Sequence, residues 1–208
     1  MDVVIAGGHG QIALHLERLL TERGDTARGL IRNQDHAADL ERVGAVPVVC
    51  DLEAETDLRR FVEGADAIVF AAGAGPGSGP ERKRTVDLGA AVKLMDAGVS
   101  RYVIVSSIGA GDPASAPESM RAYQEAKGEA DETLAQSGLD FTIVRPGLLT
   151  NGNATGHVAA GPDVERGDIP RADVALVLLA ALDTASTVGK TFNVVSGDEP
   201  VDRAIAAL

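Results

Sequence analysis

Apolar runs of four to six residues recur at 3–6, 26–31, 45–50, 67–71, 102–105, 141–144 and 191–195. Runs this short and this rich in apolar residues read as buried strands, the habit of parallel sheets. Between most of them the apolar positions change to a spacing of three and four, as on one side of a helix. In the first such stretch Ile12, Leu16, Leu19 and Leu20 mark the apolar side, while Glu17, Arg18 and Glu22 read as the polar one. Gly24 follows, where a helix closes in a left-handed turn. Further helices are predicted at 57–63, at 82–97 closing on Gly98, and at 117–136 closing on Gly138, with Pro117 in a first turn that has no use for its missing N–H. Strand and helix alternate throughout. The expectation is an α/β fold of one domain spanning 1–208: a doubly wound, mostly parallel sheet of about seven strands with helices on both faces.

The first strand runs into Gly7-Gly8-His9-Gly10-Gln11-Ile12-Ala13 and then a helix. Glycines spaced like this let the backbone turn sharply and let a pyrophosphate approach exposed N–H groups where the helix dipole favours negative charge. A plain β-to-α turn would use the same residues. The order strand, turn, helix, strand favours a dinucleotide site in which Gly7, Gly10, Gln11 and Ile12 contact the cofactor. Past the second strand, where NAD sites carry an acid for the ribose hydroxyl, stand Arg32 and Asn33, with Arg28 near in sequence. A cation there accommodates a 2′-phosphate, so NADP (NADPH) is the expected cofactor. Asp51 and Leu52 close the third strand, and Ala71, Ala72 and Gly73 close the fourth, beside the expected adenine and ribose. Asp51 reads equally as a helix cap. The Gly/Pro-rich loop 73–80 reads as a flap or as a plain connector.

Tyr123 and Lys127 stand four apart on the predicted 117–136 helix, so they share a face, and Ser106-Ser107 end the fifth strand. A cation near a phenol favours the phenolate. Lys127 is therefore expected to lower the Tyr123 pKa and make it a usable general acid, with Ser107 holding a substrate carbonyl. The bland alternative is a half-buried tyrosine beside a snorkelling lysine. The irregular segment 151–170, with one short strand at 157–159, is where substrate contacts are expected.

A net charge of −12 over 208 residues argues against a nucleic-acid partner. Arg82-Lys83-Arg84 reads as a solvated helix start. The single cysteine, Cys50, lies in an apolar run and reads as a buried thiol, which fits a reducing, cytoplasmic setting. No run has the length of a membrane span, and the N-terminus lacks the pattern of a secretory leader. The expected partner is a small-molecule substrate, with neither nucleic acid nor membrane; a monomer and a homodimer are both compatible. His9, His15, His36 and His157 show no spacing for a metal site.

Taken together, residues 7–13, Arg32, Asp51-Leu52, residues 71–73, Val105-Ser106-Ser107, residues 123–127 and Val144-Arg145-Pro146-Gly147 resemble the short-chain dehydrogenase/reductase superfamily. More narrowly the chain resembles its atypical NAD(P)H-binding, NmrA-like members, through residues 169–175 and 191–197 as well. The resemblance implies a Rossmann fold, NADPH, and Ser107, Tyr123 and Lys127 as catalytic set, with Lys127 also on the nicotinamide ribose. It also admits a redox sensor that binds NADP(H) without turnover, and a flavin reductase that uses no tyrosine acid. Asp87 stands where active dehydrogenases usually carry asparagine, which puts a proton relay in doubt. The extra C-terminal domain of sugar-nucleotide epimerases is not seen, which disfavours that assignment.

Overall fold

The computed structural model describes residues 1–75 and 77–208. Its strands are β1 (Asp2–Ala6), β2 (Thr26–Ile31), β3 (Val46–Val49), β4 (Ala67–Phe70), β5 (Arg101–Val105), β6 (Asp140–Pro146), β7 (Leu148–Thr150), β8 (His157–Gly161), β9 (Asp168–Pro170), β10 (Lys190–Ser196) and β11 (Glu199–Pro200). The helices are α1 (Gln11–Glu22), α2 (Ala37–Arg42), α3 (Arg59–Val62), α4 (Pro80–Arg82), α5 (Ala91–Met95), α6 (Glu118–Gln136), α7 (Arg171–Asp183) and α8 (Val201–Ala206). Between α4 and α5 the helix continues without a break through a π-helical stretch, Lys83–Ala90.

The main sheet has nine strands in the order β11-β8-β10-β6-β5-β4-β1-β2-β3. Seven of them, from β10 across to β3, pair in parallel and are the seven apolar runs of the sequence. The expected count of about seven falls short by two. The short strands β8 and β11 extend the sheet beyond β10 with antiparallel pairing, and β7 with β9 makes a separate parallel ribbon. Parallel strands need long crossovers, which put a helix on each face. One face packs Ile12, Leu16 and Leu20 of α1 against α7 and α8; the other packs Val62 of α3, Leu94 of α5 and Leu134 of α6.

Both outer strands carry a proline. The Cys50 N–H donates to the Ile31 carbonyl of β2, so by alternation the nitrogen of Pro47 in β3 faces outward. Likewise the Val201 N–H donates to the Gly156 carbonyl, which turns the nitrogen of Pro200 in β11 away from the sheet.

Among the described residues no helix is long and apolar enough to cross a membrane. The strand order reverses direction between β1 and β4, and ligands of open α/β sheets bind at such a point, beyond the carboxyl ends of the strands.

Candidate functional site

A cleft of about 630 Å³ opens at that reversal. Its walls include Gly7 and Gly10 of the first turn, Arg32 after β2, Asp51 and Leu52 after β3, and Ala71, Ala72 and Gly73 after β4. Most of the expected cofactor residues are therefore assembled in one place. Gln11 and Ile12 begin α1 directly beside it, Gln11 exposed and Ile12 turned into the core. Arg28 does not join them. It points to the opposite end of the sheet, where its guanidinium meets Asp2 at 2.8 Å and the Glu63 carbonyl at 3.1 Å.

Glycine at position 7 has a local cause. Its φ is +80°, and a Cβ would lie 2.7 Å from the Ala72 Cα, so the turn passes the end of β4 without room for a side chain. The Gly10 N–H closes the turn on the Gly7 carbonyl at 2.8 Å, and Gly10 caps α1 with no side-chain partner. The cradle therefore leaves backbone at the helix start for a phosphate, which is the fit a dinucleotide needs.

Beneath the turn lies Glu17, which does not sit on the polar side of α1. It is wholly buried, and neither carboxyl oxygen has a hydrogen-bond partner among the described residues. A Cβ on Gly8 would come within 3.0 Å of its Oε1. Burial alone pushes the Glu17 carboxyl up to about 8. His9 is also tied down: its ring stacks on His36 with centroids 3.8 Å apart, and its Nε2 meets Asp39 at 2.8 Å. Sequence spacing hid this pair because 26 intervening residues separate partners that share only the cleft rim.

The Arg82-Lys83-Arg84 run is an exposed helix start, as expected, but each of its side chains also has a partner. Arg82 reaches Glu53 at 2.7 Å, Lys83 donates to the Gly75 carbonyl at 2.8 Å, and Arg84 forks onto Glu129 at 3.0 and 3.2 Å. Lys83 thus ties down the loop 73–80, of which Pro76 lies outside the described residues.

The catalytic candidates lie on and beside α6. Lys127 is buried, donates to the Val105 carbonyl at 3.0 Å and lies 3.4 Å from the Asp87 carboxylate. Asp87 is wholly buried and also accepts from the Ala74 N–H at 3.2 Å, so it joins the loop after β4 to Lys127. Tyr123 is half-buried, its ring flanked by the ammonium groups of Lys83 at 5.2 Å and Lys127 at 5.9 Å. The expected lowering of its pKa is overturned. Burial raises the phenol above its ordinary value, Lys127 opposes this, and Asp87 and Asp131 add to it. Tyr123 therefore rests as a phenol with its proton in place.

Ser107 accepts a hydrogen bond at 3.2 Å from Gln124, the residue after Tyr123, rather than from Tyr123 itself. Ser106 turns inward onto Asp131 at 2.8 Å, and the Arg145 Nε meets the same carboxylate oxygen at 2.8 Å. Burial raises the Asp131 pKa against the pull of Arg145. Gln124, Asp131 and Arg145 were not singled out as site residues; Gln124 and Arg145 fall within the 123–127 and 144–147 motifs, while Asp131, one turn beyond Lys127 on α6, carried no sequence mark.

Asp173 at the start of α7 is wholly buried and accepts from the Thr155 and Gly156 N–H groups at 2.8 to 3.0 Å. This fixes part of the 151–170 segment, which holds β8 and β9 and is more ordered than its composition implies.

A family model described as NAD(P)H-binding matches residues 7–185. An uncharacterized sugar epimerase of Bacillus subtilis is 37% identical over the full length of both chains. A Bacillus halodurans structure described as a candidate NAD-dependent epimerase/dehydratase superposes with a TM-score of 0.95 at 38% identity, covering 100% of each chain. Sanguinarine reductase of Eschscholzia californica is 26% identical, with 98% of this chain and 92% of the relative aligned.

Proposed function

Since the chain belongs to the NAD(P)H-binding family, we propose that it is an NADPH-dependent oxidoreductase acting on a small carbonyl, quinone or flavin-like acceptor. The observation that carries the reading is the cleft at the reversal of strand order, whose glycine turn is too tight for any side chain at position 7 and whose far rim carries Arg32. Gly7, Gly10, Gln11 and Ile12 hold the diphosphate, while Asp51, Leu52 and residues 71–73 flank the adenosine. Arg32, 60% exposed on the rim, selects the phosphorylated ribose. When bound, the nicotinamide supplies hydride. Tyr123 keeps its proton for the acceptor oxygen, Ser107 orients that oxygen, and Lys127 contributes charge and a ribose contact. The reductase among the relatives supports this reaction class. A reducing cytoplasm and a small-molecule partner complete the proposal.

Calorimetric titration with NADPH and NADH, wild type against Arg32→Glu, tests the cofactor assignment. Wild type binds NADPH more tightly, and Arg32→Glu weakens NADPH at least tenfold with little effect on NADH, as expected where a charged hydrogen bond is replaced by repulsion. Equal weak affinity for both coenzymes in both proteins removes the NADP assignment.

A second reading, NADP(H) binding without turnover, is favoured by the pairing on α6: Lys127 is held by Asp87, and Ser107 by Gln124. Tyr123→Phe separates the readings. A drop of about 100-fold in kcat for carbonyl reduction, with coenzyme affinity intact, supports the tyrosine acid. An unchanged rate with a flavin acceptor points to reduction without it, and coenzyme binding with no oxidation across the acceptor panel supports the sensor.

A further inference from the structure

Glu53 follows Asp51-Leu52 and projects into the same cleft as Arg32 and Arg82. Its Oε2 accepts from the Arg82 Nη2 at 2.7 Å and lies 3.6 Å from the Arg32 Nη1, while Oε1 accepts from the Thr85 hydroxyl at 2.7 Å. The turn that carries it is braced from both sides. Asp51 Oδ1 accepts from the Glu53 N–H at 2.9 Å, and the Lys93 ammonium binds the carbonyls of Leu52, Glu53 and Glu55, the last two at 3.1 and 2.9 Å. One carboxylate is therefore held between two guanidiniums that come from separate elements, one after β2 and one from α4.

A carboxylate and a phosphate compete for the same donors, because both offer planar or near-planar oxygen pairs to a guanidinium fork. In a chain of net charge −12, this rim sets the Arg32 and Arg82 guanidiniums around the Glu53 carboxylate, while Asp51 in the same cleft is engaged by the backbone of the turn. We infer that Glu53 and Arg82 set the coenzyme preference together with Arg32: Glu53 occupies the guanidinium pair until a 2′-phosphorylated adenosine displaces it, and so limits affinity for the phosphorylated coenzyme. This rests on the nicotinamide-nucleotide reading and deepens it. Arg82 is the second phosphate cation, and Glu53 is the competitor that leaves the unphosphorylated nucleotide a usable ligand.

The test is calorimetry with adenosine 2′,5′-bisphosphate, adenosine 5′-monophosphate, NADPH and NADH on the wild type, Glu53→Gln and Arg82→Gln. Glutamine at 53 keeps an oxygen to accept from Arg82, and its NH2 can donate to the Thr85 hydroxyl, so the turn keeps both side-chain partners. Glu53→Gln is expected to tighten both 2′-phosphorylated ligands several-fold and to leave the monophosphate within about twofold. Arg82→Gln is expected to loosen the 2′-phosphorylated ligands about tenfold, the value of one charge-assisted hydrogen bond. If all three proteins bind these ligands with the same ratio of phosphorylated to unphosphorylated affinity, this inference falls while the cofactor reading stands. If the wild type gives no heat with any of the four, both fall.

Discussion

At the scale of single residues, Glu17 is the sharpest departure from expectation. Positions 13, 16, 17 and 20 are one face of a helix, so the period placed Glu17 in the core; its charge placed it outside, and the period won. The cost depends on pH. The folded carboxyl titrates at about 8 and the unfolded one at 4.5, so between these values the unfolded chain loses the proton first and stability falls as pH rises. The shift corresponds to an upper bound of about 5 kcal/mol, complete above pH 8. Urea unfolding of Glu17→Gln should show a variant close to wild type near pH 4 and several kcal/mol more stable near pH 9. A difference that stays constant across this range would mean the carboxyl has the same pKa folded and unfolded, so that burial does not shift it.

Among elements, the seven parallel strands were legible because each is rich in apolar residues; β1, β4 and β5 are buried along nearly their whole length, whereas β3 at the margin leaves Val46 and Val49 exposed. The four other strands, two to five residues long, were less so. A strand at the margin or in a ribbon buries little, and β8 with Gly161 at its end left only three residues, 157–159, recognisable. The π-helical stretch Lys83–Ala90 had no sequence mark at all. Within it, Asp87 meets both Ala74 and Lys127, a pairing that only the tertiary fold creates. Asp87→Ala would leave the Lys127 ammonium with the Val105 carbonyl alone in a buried setting. That should destabilise the chain by about 3–5 kcal/mol, read as a lowered denaturant midpoint. A loss under 1 kcal/mol would indicate that Lys127 swings into solvent instead.

For the molecule as a whole, the two halves of the site differed in how far the sequence revealed them. The nucleotide half is a local signature, since Gly7 and Gly10 lie in one turn and Arg32, Asp51 and Ala71 each end a strand at a predictable place. The chemical half is built from contacts between distant segments: Gln124 on Ser107, Lys83 over Tyr123, Arg145 on Asp131. Sequence named Ser107, Tyr123 and Lys127 yet gave the wrong sign for the Tyr123 shift, because burial is a property of the folded molecule. Cofactor binding should also be visible globally. At a hundredfold excess over Kd, NADPH should stabilise the protein by about 2.7 kcal/mol, a rise of about 5–10 °C in Tm for a chain of this size. No rise on a thermal melt, with NADPH in that excess, would contradict the cofactor assignment.

The outward nitrogens of Pro47 and Pro200 bear on crowding. A neighbouring copy that tried to add a tenth strand would meet a missing donor at either margin, so main-chain zippering between copies is blocked on both sides. Replacing either proline with valine would remove that guard and open a route to fibrils.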